Sequence, residues 1–298
     1  MPVIGYIGVG TRPEPSALAP FSKGLNDMGY IDGRNVAIEF RVTEQYDRLP
    51  TLAVELIRRQ AAVIYAYGPA NAAQAAMAAT ATIPIVFATG ADPVSLGLVA
   101  SLNRPGRNAT GITFFSSELA VKRLELLREL APQAATIAVL VNPDNARTEG
   151  DKSDMEAAAR SVGQQIIVVS AGTASEIDTA FGTIARQRAG ALLVNGDAFY
   201  LSRRDQFVAL AARHGIPANY NTREYVATGG LMSYGDDRSE SYRQAGNYVG
   251  RILKGAKPAD LPVLQPTKFE FAINLKTAKA LGIEFPPSFQ LRATEVIE

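Results

Sequence analysis

Short apolar runs alternate, in the first third of the chain, with segments whose apolar residues recur every three or four positions. Continuous apolar runs of this length are typical of buried strands, and the wider spacing is typical of helices with one buried face. The predicted strands are VIGYIGV (3–9), NVAIEFR (35–41), AVIYAYG (62–68) and IPIVFAT (83–89). The predicted helices lie at 13–29, 49–60 and 71–81. This alternation predicts a parallel sheet with helices on both faces.

The same order of elements recurs later in the chain, at an offset of roughly 130 residues. Residues 135–146 resemble 1–12, 155–171 resemble 21–40, 184–199 resemble 56–71, and 212–225 resemble 80–93. Any two strand–helix segments look alike, so a single match would mean little, but ordered matches favour duplicated lobes. A length of 298 residues also suits two domains. The predicted fold class is therefore α/β, with two Rossmann-like lobes whose parallel sheets are flanked by helices.

The last quarter of the chain predicts a strand, a helix and an extended connector. GLMSYGDD (230–237) is the strand, residues 238–255 form the helix, and the proline-punctuated stretch 258–274 runs back between the lobes. We therefore expect three crossings that form a hinge, in which a few residues absorb domain closure. The crossings are expected near 113–117, 226–230 and 257–266. The first lobe is expected to comprise 1–115 and 229–258, and the second 116–228 and 259–298.

Two α/β lobes of one topology bind ligands at the carboxyl ends of their strands, so the strand-end residues of both lobes are the candidate ligand contacts. In the first lobe these are Gly10, Thr11, Tyr67, Pro69, Ala70, Asn71, Thr89, Gly90 and Asp92. In the second lobe they are Asn142, Asn145, Asn195, Asp197, Phe199 and Tyr220.

Several of these residues have a competing structural role. The helix that starts at Ala70 and Asn71 would suit a carboxylate, or Asn71 would be an ordinary helix cap. Thr89 would contact an anion or hydroxyl, while Asp92 and the proline after it would start the next helix. Asp197 would accept an ammonium group or cap a helix at 202–213.

The remaining candidates are aromatic side chains and asparagines. Tyr67, Phe199 and Tyr220, together with Tyr200, would sandwich an apolar ligand side chain or belong to the core. Asn142 and Asn145 lie in an Asx-rich loop that would also serve as a helix cap.

The sequence offers no credible catalytic, cofactor or metal site. The only histidine, His214, ends a predicted helix, and no Gly-x-Ser-x-Gly motif occurs. The loop after the first strand has Pro13 where a dinucleotide fingerprint needs its third glycine. Cysteine is absent and residues 142–151 lack the spacing of a calcium loop. We therefore expect a protein that is not an enzyme and carries no cofactor or metal.

Charge and hydropathy indicate which kinds of partner the protein is not expected to need, namely nucleic acid and the membrane interior. A net charge of +1 without a basic tract does not suggest nucleic-acid binding. No apolar run reaches the length of a membrane span. The chain opens on a core strand without a signal peptide, so it is either cytosolic or has lost a leader.

Three stretches carry a resemblance to a known family: MPVIGYIG (1–8), residues 83–113 from IPIVFATGADP to GIT, and residues 229–288 from GGLMSYGDD to PPS. They resemble the ABC-transporter substrate-binding proteins of the tryptophan-binding-protein-like family. The resemblance implies a type I periplasmic-binding fold with a cleft that closes on an aromatic amino acid. It places the carboxylate on Ala70, Asn71 and Thr89 and the ammonium on Asp197. Pro69-Ala70-Asn71 departs from the Ser or Thr that such receptors often present.

These observations together predict an extracytoplasmic solute receptor of an ABC importer. Its partners are expected to be a small polar ligand, most of all an amino acid with an aromatic or apolar side chain, and a membrane permease. The protein is expected to be a monomer, periplasmic or lipid-anchored. The alternatives are a ligand-sensing domain of the lac-repressor type and an enzyme on a doubly wound fold.

Overall fold

A computed structural model describes residues 1–114 and 116–298, which divide into two compact units. Unit 1 comprises Met1–Phe115 and Asp237–Thr267, and unit 2 comprises Ser116–Asp236 and Lys268–Glu298. Each unit is built around one sheet.

The elements follow in chain order. The strands are β1 (Val3–Val9), β2 (Ala37–Thr43), β3 (Val63–Gly68), β4 (Ile85–Thr89), β5 (Ala109–Thr113), β6 (Thr136–Val141), β7 (Gln165–Ser170), β8 (Ala191–Val194), β9 (Ala218–Tyr220), β10 (Met232–Asp236), β11 (Phe269–Asn274) and β12 (Glu295–Ile297). The helices are α1 (Pro15–Asp27), α2 (Leu49–Arg58), α3 (Ala70–Ala79), α4 (Ser116–Leu130), α5 (Thr148–Ser161), α6 (Ala174–Arg186), α7 (Ala198–Ser202), α8 (Arg204–Arg213), α9 (Arg223–Ala227), α10 (Arg238–Leu253), α11 (Leu275–Ala280) and α12 (Pro287–Arg292). Short 3₁₀ turns lie at Tyr46–Arg48 and Pro258–Asp260.

The sheet of unit 1 is fully parallel, with strand order β2-β1-β3-β4-β5. Burial on both faces explains why β1, β3 and β4 are nearly continuous apolar runs. Helices α1 and α10 share one face, where Phe21 stacks on Tyr65 with ring centroids 4.3 Å apart. Tyr242 and Val249 of α10 pack into the same core.

The sheet of unit 2 has the order β12-β11-β10-β9-β8-β6-β7. All its neighbouring strands are parallel except the antiparallel pair β10–β11. One core cluster joins the strands to Leu127 of α4, Met155 of α5 and Phe289 of α12. The strand-end loops are thereby fixed to a rigid scaffold.

The first expected lobe boundary, after residue 115, coincides with the division of the chain, but the other two differ. Strand β10 pairs with β9 and β11, so it belongs to unit 2 and not to the first lobe. Residues 259–267 belong to unit 1, because Leu264 forms a bridge with Ile112 beside β5. Within the described residues the chain therefore passes between the units after 115, 236 and 267.

The structure also corrects the expected helix after Asp92. Residues 93–97 form hydrogen-bonded turns, in which the Asp92 carboxylate accepts the N–H of Val94 at 2.8 Å. Strands β5 and β12 and helices α4, α7, α9 and α12 were not predicted.

Candidate functional site

The predicted ligand contacts lie along the carboxyl edge of each sheet. In unit 1 the parallel strands β1, β3 and β4 end at Val9, Gly68 and Thr89, and we call this side the unit 1 edge. In unit 2 the parallel strands β6, β8, β9 and β10 likewise end together, and we call this side the unit 2 edge. Parallel topology thus collects each set of residues from distant parts of the chain.

The loop after β1 starts with a glycine that the backbone requires. Gly10 has a φ of 141°, which lies in the region that favours glycine, and its N–H donates to the Thr43 carbonyl at 2.8 Å. Thr11 follows as an exposed residue. The loop therefore begins in a fixed position at the unit 1 edge.

Helix α3 points its N-terminus at the same edge. Pro69 is its N-cap and makes no side-chain cap bond, Ala70 is buried and Asn71 is half-buried. The N-terminus of a helix of ten residues concentrates positive partial charge. This end of α3 therefore favours a negatively charged partner.

Thr89, at the end of β4, is held by two hydrogen bonds, one within its own loop and one to the residue after β5. Its hydroxyl oxygen accepts the N–H of Ala91 at 3.3 Å, and its carbonyl accepts the N–H of Phe114 at 2.9 Å. Gly90 lies between Thr89 and Ala91, whose carbonyl accepts the Thr113 hydroxyl at 2.8 Å. Asp92 is exposed and uses its carboxylate within the turn. Thr89 thus has a fixed position at the unit 1 edge, whereas Asp92 shapes the loop beside it.

Tyr67 lies beneath this edge in an aromatic cluster. Its ring centroid is 5.8 Å from that of Tyr6 and 5.7 Å from that of Tyr242. Burial raises the pKa of the Tyr67 hydroxyl well above its usual value, with the hydroxyl of Tyr242 adding to the effect. The structure therefore gives Tyr67 the core role that the sequence left open.

The carboxylate of Asp197 is the centre of a buried polar network at the unit 2 edge. One oxygen accepts the Asn142 amide at 3.2 Å and the backbone N–H of Tyr200 at 3.2 Å. The other accepts the Asn145 amide at 2.7 Å. Asp197 caps α7, a short helix absent from the prediction, and not a helix at 202–213. Its two oxygens therefore hold the loop after β6 against the loop after β8.

A second group of buried polar side chains lies at the same edge as the Asp197 network. Arg147 and Asp151 form an ion pair with 2.6 Å between Nε and Oδ2 and side chains only 9% and 5% exposed. Asp151 Oδ2 also accepts the Asn195 amide at 2.7 Å. The three predicted asparagines, Asn142, Asn145 and Asn195, are thus all bonded to carboxylates at one edge. Because each contact is buried, the edge is preorganised.

The two other aromatic candidates of unit 2 are core residues. Phe199 is 2% exposed, with its ring centroid 6.0 Å from that of Tyr200. Tyr220 is fully buried and stacks on Tyr225 with centroids 4.4 Å apart. Tyr220 also lines a cavity of about 190 Å³ between α8, α11 and the start of β10. Its side chain therefore packs beside these helices, which corrects its expected place among the ligand contacts.

Three polar residues at the unit 2 edge escaped the prediction. Asn221 and Thr222 follow β9 directly, and Asp236 ends β10; their exposed fractions are 5%, 6% and 3%. Asn221 Oδ1 and Thr222 Oγ1 are buried without a hydrogen-bond partner in the described part of the chain. The sequence NYNT (219–222) could have identified them, because it places polar residues at a strand end in the same way as FATGAD (87–92) does.

Residues 1–114 and 116–298 contain no group of three or more His, Asp or Glu side chains suited to a metal ion. None of the helices there combines the length and the apolar character of a membrane span.

Comparison with known proteins places the chain in a family. A family model described as ABC transporter substrate binding protein matches residues 16–297. The chain belongs to this family. The resemblance found in the sequence is thereby confirmed, as is the receptor function that it implied.

Individual known proteins match along most or nearly all of the chain. A tyrosine-binding protein of Clostridioides difficile (strain R20291) is 30% identical over 267 residues, which cover 89% of this chain and 76% of that protein. An ABC domain from Streptococcus pneumonia in complex with L-Trp is 27% identical, with a TM-score of 0.86 and 99% of each chain covered. A conserved domain protein from Vibrio cholerae is 26% identical, with a TM-score of 0.91 and 99% of each chain covered. The type I periplasmic-binding fold predicted for this substrate-binding protein is confirmed.

Proposed function

We propose that this substrate-binding protein is the extracytoplasmic receptor of an ABC importer for an amino acid with an aromatic or apolar side chain. The observation that carries the proposal is the chemical contrast between the two edges. The unit 1 edge presents a helix N-terminus and a hydroxyl, which suit an anion, and the unit 2 edge presents buried oxygen acceptors, which suit a cation. An amino acid carries both charges. Relatives that bind tyrosine or L-Trp support the same ligand class.

In this proposal the α-carboxylate binds at the unit 1 edge. The N-terminus of α3 stabilises negative charge, and the Thr89 hydroxyl, which already accepts the N–H of Ala91, donates its own proton to the carboxylate. Because Pro69-Ala70-Asn71 has no Ser or Thr at this position, the contact of α3 with the carboxylate is made by backbone N–H groups and by Asn71. Gly10 and Thr11 flank the carboxylate from the loop after β1.

The receptor works as a monomer, periplasmic or lipid-anchored, and delivers its ligand to a membrane permease. The substrate is released unchanged, since the role of the family is binding.

A thermal-shift screen of refolded protein tests the ligand class. The panel holds all L-amino acids, aromatic acids, nucleosides and simple sugars, and refolding removes any co-purified ligand. A true ligand at 100 times its dissociation constant stabilises the folded state by about 2.7 kcal/mol, which raises Tm by several degrees. We expect this shift for L-tyrosine, L-tryptophan or another apolar amino acid, and none for sugars or nucleosides. A shift confined to sugars or nucleosides would refute the proposal.

The carboxylate contact predicts a second result. Replacing Thr89 by valine keeps the shape of the side chain but removes the hydroxyl, so amino-acid affinity should fall by about 10-fold or more. Thr89→Ser keeps the hydroxyl and serves as the matched control, with affinity expected close to wild type. Isothermal titration calorimetry measures both. Equal affinities for the valine and serine variants would show that Thr89 does not contact the ligand.

A further inference from the structure

Just beyond β9 lie two buried oxygen atoms that accept no hydrogen bond from the residues that the structure describes. Asn221 Oδ1 and Thr222 Oγ1 have no hydrogen-bond partner among the described residues, although both side chains are more than nine-tenths buried. Thr222 is the N-cap residue of α9, yet its side chain makes no cap bond. Buried polar atoms are nearly always paired, because leaving them unpaired destabilises the fold. Asn219 and Tyr220, within β9, also carry such atoms, but those of Asn221 and Thr222 lie beyond the strand end, at the unit 2 edge, and therefore indicate a ligand that hydrogen-bonds to them.

The neighbouring strand brings negative charge to the same place. Strand β10 runs parallel to β9, with Ser233 opposite Tyr220, and ends at the buried Asp236. Gly235 lets the end of β10 lie close to the backbone just after β9, since a Cβ at residue 235 would lie 2.0 Å from the Asn221 carbonyl oxygen. The ends of β9 and β10 therefore place an amide oxygen, a hydroxyl and a carboxylate on adjacent strand ends.

The carboxylate of Asp197, in the loop after β8, is bonded differently. It already accepts two asparagine amides and the backbone N–H of Tyr200. A carboxylate has roughly four lone-pair sites, and three are filled by these bonds. Asp197 is thus better suited to hold the edge together than to bind a ligand cation.

We infer that the α-ammonium group of the ligand binds to Asn221 and Thr222 at the end of β9, with Asp236 balancing its charge and Asp197 acting as a positioning residue. The inference rests on the proposed function and narrows the ligand to α-amino acids over their deaminated analogues. An ammonium group has three donors and no acceptor, and the amide oxygen of Asn221 and the hydroxyl oxygen of Thr222 can each accept one of these donors.

Gly196 fixes the position of the Asn221 amide. A Cβ at residue 196 would lie 2.7 Å from Asn221 Nδ2, the nearest of its contacts. Only the end of a side chain stands in the way, so Gly196→Ala should displace the amide with little loss of stability. This substitution moves the proposed contact without removing any of its atoms.

The test measures discrimination between ligands that differ only at the α-position. Dissociation constants are determined by calorimetry for L-tyrosine and L-tryptophan and for their α-hydroxy analogues, 4-hydroxyphenyllactate and indole-3-lactate. Wild-type protein should prefer the amino acid by at least 10-fold. Asn221→Leu and Thr222→Val should each lower that preference by about 10-fold, and Gly196→Ala should lower it in the same direction. A purely structural role would weaken both ligands of a pair equally.

Controls separate the possible failures. Thr222→Ser keeps the hydroxyl and should keep the preference, and Thr173→Val, at the cap of α6, should leave it unchanged. Binding of neither amino acid to wild-type protein, together with binding of another solute class, would refute the proposed function. Amino-acid binding with full preference in Asn221→Leu and Thr222→Val, and with preference lost in Asp197→Asn, would overturn this inference alone and assign the ammonium to Asp197.

Discussion

Replacing Asp197 by alanine is expected to lower the free energy of unfolding by about 4 kcal/mol. The substitution removes the cap bond of α7, which is the bond to the Tyr200 N–H, and it also leaves the buried Asn142 and Asn145 amides without an acceptor. A lost cap costs about 1 kcal/mol and each unsatisfied buried donor about 1–3 kcal/mol, with less than full additivity. Urea unfolding followed by circular dichroism measures the change.

A matched cap shows how much of this effect belongs to the network. Thr173 caps α6 in the same unit through one bond to the N–H of Glu176, at an exposed position. Thr173→Ala should therefore cost only about 1 kcal/mol. Asp197→Asn keeps one acceptor oxygen but turns an amide towards that of Asn145, so it should fall between the two. If Asp197→Ala unfolds like wild type but no longer binds amino acids, the carboxylate contacts the ligand and does not hold the edge.

The first half of the fold was predictable because burial on both faces leaves a direct trace in the sequence. Strand β1 was expected at 3–9 and spans Val3–Val9, and the run at 83–89 contains β4. Strand β5 was missed because ATGIT (109–113) has hydroxyls and a glycine instead of an apolar run. Three-residue β12 is too short to show a period.

The boundaries between units could not be obtained from local pattern. The strand at Met232–Asp236 was predicted as an element but assigned to the wrong lobe. Its place depends on pairing with β9 and with β11, which lies more than thirty residues further along the chain. Hydrophobic period shows that a strand exists, whereas its sheet is decided by long-range contacts.

The candidate site shows the same limit at the level of single side chains. Strand ends in a parallel fold identify a set of positions, and Thr89, Asn195 and Asp197 all lie at such ends. The sequence does not reveal that the Asp197 carboxylate is bonded to the Asn142 and Asn145 amides, or that Asn221 Oδ1 has no hydrogen-bond partner within the described part of the chain. Those facts depend on which loops meet. The choice of Tyr220 over its neighbour Asn221 followed from an expected aromatic ligand rather than from packing.

The second large effect is expected in unit 1, where α1 and α10 are in backbone contact. A Cβ at Gly246 would lie 2.1 Å from the Phe21 carbonyl oxygen, and one at Gly24 would lie 1.9 Å from the Arg243 carbonyl oxygen. Neither neighbour is the end of a flexible side chain, so the helices must separate. Gly246→Ala should therefore lower the free energy of unfolding by about 3 kcal/mol, at the upper end of what overpacking usually costs. Thermal or urea unfolding measures it.

The double variant tests the cause of this loss. One outward shift of α10 would relieve both collisions, so Gly24→Ala with Gly246→Ala should cost clearly less than the sum of the single variants. Gly150→Ala is the matched control, because nothing lies within 4 Å of its Cβ position in α5 and alanine favours the helix by about 0.5–1 kcal/mol. Since Tyr242 of α10 packs on Tyr67 beneath the unit 1 edge, Gly246→Ala should also weaken ligand binding. Strictly additive losses would mean that each glycine is needed for a separate reason and that the helices are not in shared contact.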